Sequence, residues 1–176
     1  MQDAQHMLEP KHRALLSVAA ERGLPSASGI GLCFQLLSLA AAIDRDCAAR
    51  LAPHGLSEGK FVLLFLLHEQ ADGMAPHELA EGAGVTRATV TGLLDGLERD
   101  GFLSRKAGKE DRRKVKVKLT AKGRAMAARL LKEHTDWIGS LFADLGPRDA
   151  ASLRGLLARI WSGTDAGRAA SKELAS

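Results

Sequence analysis

Residues 76–119 read PHELAEGAGVTRATVTGLLDGLERDGFLSRKAGKEDRRKVKVKL, and this stretch decides the fold. Its first half predicts two helices, because Pro76 suits a first helical position and Thr86 is a good N-cap for the second helix. The glycine-bearing turn at residues 82–86 joins them into a helix-turn-helix. Apolar residues at helical spacing predict the buried face of the second helix: Val90, Leu93, Leu94 and Leu97.

The second half of the stretch predicts a two-stranded β-hairpin with a basic tip. Residues 102–106 form one strand, and residues 114–119 alternate strictly between lysine and an apolar residue, so that Val115, Val117 and Leu119 face a core and the lysines face water. The loop between them, residues 107–113, is charged. Nine of the 25 Lys and Arg residues of the chain fall between residues 99 and 118, against three acids. Such a concentration of positive charge is expected of a surface that binds phosphates.

Amphipathic helices are predicted before this stretch. A short helix covers residues 10–22, and a segment rich in Pro, Ser and Gly, residues 25–31, separates it from a long helix that ends before Pro53. The apolar block at residues 61–67 fits either a strand or a buried helix, and Ser57 as an N-cap favours the helix.

Helices are also predicted after the hairpin. Thr120 caps a long helix that extends to about residue 144, and Gly146-Pro147 ends it. A final helix is expected to bury Leu153, Leu156, Leu157 and Ile160. Residues 164–176 are expected to form a flexible C-terminal tail.

Composition limits the class of protein. A chain of 176 residues, 45% apolar and 26% charged, is expected to fold around a core of its own. The longest apolar run is far shorter than the ~20 residues of a membrane helix, and residues 1–10 lack the basic-then-apolar order of a secretory signal. We therefore expect a cytoplasmic protein without a membrane partner.

The order helix, turn, helix, strand, basic loop, strand predicts a winged helix-turn-helix, which indicates binding to duplex DNA. The second helix would enter the major groove, where a guanidinium pairs with guanine and Thr or Ala methyl groups contact thymine. A basic wing tip would reach phosphates and the minor groove. The candidate DNA-binding residues from this reasoning are Thr86, Arg87, Ala88, Thr89, Thr91, Gly92, Lys109 and Arg112.

Residues 85–91 (VTRATVT) and 97–103 (LERDGFL), followed by Asp111-Arg112-Arg113 and by residues 117–120 (VKLT), resemble the MarR family of transcriptional regulators. The resemblance covers residues 30–162. It implies a mainly α fold, in which a winged helix-turn-helix with a two-stranded β-wing is set in a helical dimerisation frame. It also implies that Arg113 is the arginine of the minor groove and that Asp111 helps to hold the wing.

The resemblance further implies an organisation and a mode of action. Residues 1–29 would be an N-terminal extension with a short helix, residues 30–54 and 121–163 the dimerisation region, and residues 55–120 the DNA-binding domain. The protein would be a homodimer that binds an inverted-repeat operator, usually as a repressor. A small ligand or oxidation would release it.

Two alternatives for the release signal remain open. A ligand of the family is typically a small aromatic acid or phenol, and Cys33, Leu37, Phe61 and Phe65 are candidates for the wall of its pocket, although core packing predicts the same residues. The stretch around Cys33 also resembles the peroxide-sensing branch of the family, where tyrosines hydrogen-bond to the thiolate. The chain contains no tyrosine, so we interpret Cys33 first as a core cysteine.

The sequence leaves two other classes of protein as alternatives. A hydrolase or transferase would use Cys33 or Cys47 with a histidine as base, but no nucleophile turn, phosphate loop or pair of carboxylates supports an enzyme. The His68-Glu69 and His77-Glu78 pairs do not have the spacing of metal ligands, so we predict no metal or cofactor. An architectural DNA-binding protein is the second alternative, and its affinity would depend on salt but hardly on sequence.

Overall fold

The computed structural model describes residues 6–23, 27–107 and 115–173 of the chain. The chain divides into two compact units, Met1–Arg129 and Leu130–Ser176. No helix within the described residues is both long enough and apolar enough to cross a bilayer.

Helices make up most of the first unit. In chain order the elements are α1 (Pro10–Glu21), α2 (Ala27–Leu51), a 3-10 turn (Ala52–His54), α3 (Glu58–His68), α4 (Pro76–Ala83), α5 (Arg87–Arg99), β1 (Leu103–Ala107), β2 (Val115–Leu119) and the first part of α6 (Ala121–Leu141). The predicted mainly α fold with a two-stranded β-hairpin is confirmed.

Side-chain caps begin three of these helices at the predicted residues. The Ser57 hydroxyl accepts from the backbone N–H of Lys60 at 3.4 Å, and the Thr86 hydroxyl accepts from that of Thr89 at 3.2 Å. The Thr120 hydroxyl accepts from the N–H of Gly123 at 3.0 Å and donates to the carbonyl oxygen of Gly101 at 2.8 Å. Each cap satisfies an N–H group that the first turn of a helix leaves without a partner.

The core of the first unit lies between α3, α4, α5 and β2. Its most buried side chains are Leu63, Leu64, Leu79, Val90, Leu94, Leu97 and Val117. The predicted apolar face of α5 is therefore confirmed, except that Leu93 is only half-buried. In the hairpin, the antiparallel register runs from Leu103 opposite Leu119 to Ala107 opposite Val115. Val117 and Leu119 are buried as the alternation predicts, whereas Lys118 is only partly exposed.

The start of α2 differs from the prediction. Residues 25–31 were expected to separate two helices, but α2 already begins at Ala27. Tertiary packing explains the helix here, because this part of α2 packs against α1: a Cβ at Gly31 would lie 3.9 Å from Leu16 Cδ2, an ordinary van der Waals contact.

A polar contact that the sequence did not indicate joins α1 to α2. The His12 ring is buried, stacks on Phe34 at 4.6 Å between centroids, and its Nδ1 lies 2.9 Å from Ser38 Oγ. The same hydroxyl accepts from the backbone N–H of Glu9 at 3.1 Å. Hydrogen bonding thus allows the polar groups of His12 and Ser38 to be buried.

The second unit contains the end of α6, α7 (Pro147–Ser162) and α8 (Asp165–Glu173). The expectation that the final helix buries Leu153, Leu156, Leu157 and Ile160 is wrong for the single chain, since no residue of α7 is buried and all four are exposed. The flexible tail expected from residue 164 is also corrected, because α8 forms there. The Thr164 hydroxyl begins it by accepting from the N–H of Gly167 at 3.0 Å.

Candidate nucleic-acid interface

The turn between α4 and α5 fixes where α5 begins relative to α4. α4 ends at Gly84, whose φ of 64° lies in the left-handed region that glycine adopts without strain. The backbone N–H of Val85 donates to the carbonyl oxygen of Ala80 at 3.1 Å, which closes the turn. Thr86 then has extended backbone angles and starts α5.

One exposed surface of α5 and its cap carries six of the predicted DNA-binding residues. Thr86, Arg87, Ala88, Thr89, Thr91 and Gly92 are all exposed. We call these six residues the recognition surface. The opposite face of α5 holds Val90, Leu94 and Leu97 in the core, so the helix is fixed while its polar face is open to solvent.

Some polar groups of the recognition surface already have hydrogen-bond partners within the chain, whereas others are available to a ligand. The hydroxyl oxygens of Thr86 and Thr89 lie 2.8 Å apart, and the Thr91 hydroxyl donates to the carbonyl oxygen of Arg87 at 2.9 Å. Among the described residues, the Arg87 side chain has no hydrogen-bond or salt-bridge partner. Its guanidinium donors are therefore available for a base edge or a phosphate.

The wing tip lies outside the described residues. Lys109, Asp111, Arg112 and Arg113 all fall within the undescribed segment 108–114, so their predicted roles stay predictions. The described part of the hairpin ends where Ala107 pairs with Val115.

Arg105 has a role that the sequence analysis missed. It belongs to the basic segment 99–118, but its Nη2 lies 2.6 Å from Asp95 Oδ1 and its Nη1 lies 3.3 Å from Glu98 Oε2. Its backbone N–H also donates to Glu98 Oε1 at 3.1 Å. Arg105 therefore ties β1 to α5 and helps to orient the hairpin relative to the recognition surface. The acids at positions 95 and 98 were the signal that could have indicated this pairing.

The C-terminal end of α5 is held by two lysines. Lys60 Nζ of α3 donates to Asp100 Oδ2 at 2.8 Å, and this hydrogen bond lowers the pKa of the Asp100 carboxyl below its ordinary value. Lys122 Nζ donates to the carbonyl oxygen of Asp100 at 2.7 Å and lies 4.5 Å from the centre of the Phe102 ring. Cations suit this position because the C-terminal end of a helix carries partial negative charge.

The four residues predicted to line a ligand pocket have different environments. Cys33 and Leu37 are exposed on α2, Phe61 is buried in α3, and Phe65 is 39% exposed. The interpretation of Cys33 as a core cysteine is therefore wrong for the single chain. The reason is that α2 carries more apolar side chains than its neighbours in the single chain cover, since Leu32 and Leu39 are exposed as well.

The second cysteine and the histidines that precede acids lie in different environments. Cys47 is half-buried, and burial, followed by the charges of Glu58 and Asp44, raises the pKa of its thiol. His77 is exposed, whereas His68 is partly buried at the end of α3. In the part of the chain that the structure describes, no three His, Cys, Asp or Glu side chains are grouped so that they could hold a metal ion.

The fold and the recognition surface define a winged helix-turn-helix protein, and comparison with known proteins specifies its family. The MarR family profile matches residues 56–115. The HTH-type transcriptional repressor YetL of Bacillus subtilis (strain 168) is 38% identical over 133 residues, which are 75% of this chain and 80% of that protein.

Solved structures agree with this assignment. CouR from Rhodococcus jostii RHA1, bound to p-coumaroyl-CoA, superposes with a TM-score of 0.61 at 25% identity, over 73% of this chain and 90% of that one. The MepR–DNA complex of S. aureus superposes with a TM-score of 0.63 at 19% identity, over 73% and 94%, which shows the shared fold.

The chain belongs to the MarR family. Its relatives are transcriptional regulators and not enzymes, and this chain is a DNA-binding transcriptional regulator of the same family.

Proposed function

We propose that this protein is a homodimeric repressor that acts in the cytoplasm, binds an inverted-repeat operator in duplex DNA, and is released from it by a small aromatic acid or phenol. The single observation that carries the DNA-binding part is the recognition surface, where the Arg87 guanidinium stands exposed and without a partner among the described residues. Sequence-specific affinity then comes from base contacts by this surface, while the basic wing adds phosphate and minor-groove contacts.

Exposed apolar surface supports the homodimer. In the second unit, α7 exposes Leu156, Ile160 and Trp161 by more than half of their surface. In the first unit, Leu32 and Leu37 of α2 are exposed to a similar extent. Several large apolar side chains left exposed along one helix are typical of an interface with another protein. We therefore assign residues 30–54 and 121–163 to dimerisation and residues 55–120 to DNA binding.

An effector is proposed on two grounds. The relative CouR has been solved with p-coumaroyl-CoA bound, so a winged protein of this family can hold a small molecule. Release from DNA requires only that the effector bind the two conformations of the dimer with different affinity. Cys33, Leu37, Phe61 and Phe65 remain the proposed wall residues for an aromatic ligand.

The first test is operator binding. The purified protein is titrated at fixed physiological salt with the DNA upstream of its own coding region and with a scrambled duplex of equal length. We expect a strong preference for the upstream DNA. Equal affinity for the two duplexes would favour the architectural alternative.

Arginine variants test which residues carry the binding. Arg87→Ala should weaken operator binding by about 1–3 kcal/mol and reduce the preference over scrambled DNA, because a bidentate contact to a base is lost. Arg113→Ala should weaken it while the oligomeric state stays unchanged. Arg13→Ala removes the same charge from the exposed face of α1 and serves as the control. Unchanged affinity of either interface variant would refute the role assigned to that arginine.

The exposure of Cys33 keeps thiol oxidation as a second release signal to be tested. Operator complexes are treated with a panel of aromatic acids and, separately, with cumene hydroperoxide. Release by an acid and not by the peroxide supports the ligand mechanism. Release by the peroxide that disappears in Cys33→Ser would instead make the protein a thiol sensor.

A further inference from the structure

The hydroxyl group of Thr91 is already used within α5. Thr91 is exposed, and its hydroxyl donates to the carbonyl oxygen of Arg87, one helical turn earlier, at 2.9 Å. A threonine hydroxyl has a single proton to donate. Thr91 therefore has no donor left for a base edge, and its γ-methyl group and one acceptor oxygen are what it can still offer to DNA.

The positions next to Thr91 on the same face add no polar side chain. Ala88 precedes Thr91 by three residues, so the two side chains are neighbours on the helix surface, and both are exposed. Gly92 follows Thr91, and a Cβ added there would meet no atom within 4 Å. The methyl groups of Ala88 and Thr91 therefore lie beside open space, where the base edges of a major groove can approach them.

Hydrogen-bond donors are concentrated at the first turn of α5. The hydroxyls of Thr86 and Thr89 lie 2.8 Å apart, and this contact uses one of their two protons. The second proton and the unpartnered guanidinium of Arg87 are left for DNA. The recognition surface thus has a donor part at Thr86, Arg87 and Thr89, and a methyl part at Ala88 and Thr91.

These two parts match two different groups of the major groove. Guanine presents two acceptors there, N7 and O6, which a guanidinium contacts together, whereas thymine presents its C5-methyl group. A methylated cytosine carries a methyl group at the same ring position as thymine. Arg87 and Thr91 are separated by about 6 Å along the helix axis, and successive base pairs by about 3.4 Å, so the two residues reach bases no more than about two steps apart.

We propose that Thr91, together with Ala88, is a specificity-determining residue that recognises the C5-methyl group of a pyrimidine, within two base pairs of a guanine contacted by Arg87. Thymine and 5-methylcytosine both supply this group, so methylation of a cytosine at the contacted position strengthens binding. The inference rests on the proposed function, because it assigns base contacts to the recognition surface.

Replacing thymine by uracil tests the inference, because the two bases differ only in the C5-methyl group. The upstream DNA is prepared with deoxyuridine in place of every thymidine and compared with unmodified DNA at the same salt concentration. The wild type should bind the uracil operator about fourfold more weakly for each half-site, the factor expected when one methyl group is no longer removed from water. Equal affinity for the two operators would overturn the inference.

Two variants of Thr91 separate its methyl group from its hydroxyl. Thr91→Ser keeps the hydroxyl and should bind both operators equally, whereas Thr91→Val keeps the methyl group and should retain the preference for thymine. Thr135→Ser makes the first change on an exposed position of α6 and should behave as the wild type. Circular dichroism confirms that each variant is folded. If Thr91→Ser keeps the preference, or if Thr91→Val loses it, the methyl group of Thr91 does not recognise the base.

A cytosine at the contacted position distinguishes the two sources of the methyl group. Single thymines are first replaced by uracil to find the position in each half-site where the methyl group matters, and a cytosine–guanine pair is then placed there with and without C5-methylation. The wild type should bind the methylated duplex about fourfold more tightly for each half-site, and Thr91→Ser should bind both equally. No gain on methylation in the wild type would overturn the 5-methylcytosine part of the inference.

Failure of this inference is distinguishable from failure of the proposed function. If the upstream DNA is not preferred over the scrambled duplex, the proposed function fails. If it is preferred, and the uracil operator is bound as tightly as the thymine operator, only the assignment of Thr91 fails.

Discussion

Two helical glycines have opposite surroundings. A Cβ added to Gly92 on the recognition surface would meet no atom within 4 Å, whereas one added to Gly123 in the first turn of α6 would collide with the carbonyl oxygen of Phe102. Glycine in a helix is less stable than alanine, so each position needs a separate reason for having no side chain. At Gly123 that reason is the close approach of the backbone that follows α5. At Gly92 the described chain supplies none.

Gly123→Ala should lower the free energy of unfolding by about 1–3 kcal/mol, because the backbone must shift to admit the methyl group. Urea denaturation at neutral pH measures the change. Gly92→Ala is the matched control, since it makes the same substitution in a helix where space is open. A Gly123→Ala variant as stable as the wild type would contradict the packing described here.

Gly92→Ala itself should stabilise the fold and weaken operator binding. The free energy of unfolding should rise by about 0.5–1 kcal/mol, since alanine is the better helix former. Operator affinity should fall, because in the proposed complex the added methyl group would lie between α5 and the floor of the major groove. If the variant is more stable and binds the operator unchanged, DNA does not approach this part of α5 closely.

At the scale of helices and strands, the contact of Lys60 with Asp100 joins α3 to the end of α5, and we expect its contribution to stability to depend on pH. The hydrogen bond from Lys60 lowers the pKa of Asp100 in the folded chain relative to about 3.9 in an unfolded one. The unfolded chain therefore binds the proton more readily, and the stabilisation is present above the unfolded pKa and is lost as the pH falls through the folded one.

Asp100→Asn should accordingly be less stable than the wild type at pH 7, and the difference should shrink as the pH falls below about 4. Thermal unfolding followed by circular dichroism across this pH range measures it. Lys60→Gln should show the same dependence, and the double variant should lose no more than either single one if the two residues act only through each other. A difference that stays constant with pH would assign the loss to something other than this ion pair.

For the whole molecule, the uncovered apolar face of α7 is the feature that bears on assembly. None of its residues is buried in the single chain, although Leu153, Leu156, Leu157 and Ile160 recur on one side of the helix. Replacing both Leu156 and Ile160 by Asp should convert a dimer to a monomer and reduce operator affinity, because a single protomer contacts only half of an inverted repeat.

Light scattering coupled to size-exclusion chromatography measures the mass of each form. Ala151→Asp places a single aspartate on the opposite side of α7 and should leave the dimer intact. A wild type that is monomeric at micromolar concentration would overturn the assignment of this face to dimerisation.

Local sequence was sufficient to predict both strands and most of the helices, though not the start of α2 or the helix α8, because the interactions concerned act over a few residues. Ser57, Thr86 and Thr120 cap helices because their hydroxyls reach an N–H three positions ahead, and the alternation in β2 follows from the pleat of a strand. The helix-turn-helix and its hairpin were therefore predictable, as was the polar face of α5.

Only the tertiary structure decided the partners and the exposure of side chains that meet elements from distant parts of the chain. Arg105 is paired with α5 although it belongs to a basic run, and Lys118 lines a cavity although alternation places it toward water. Cys33 and the apolar side of α7 are exposed because no other part of the single chain covers them, which periodicity cannot reveal. A sequence pattern shows which face of a helix is apolar, whereas the partner of that face is set by packing across the molecule or across an interface.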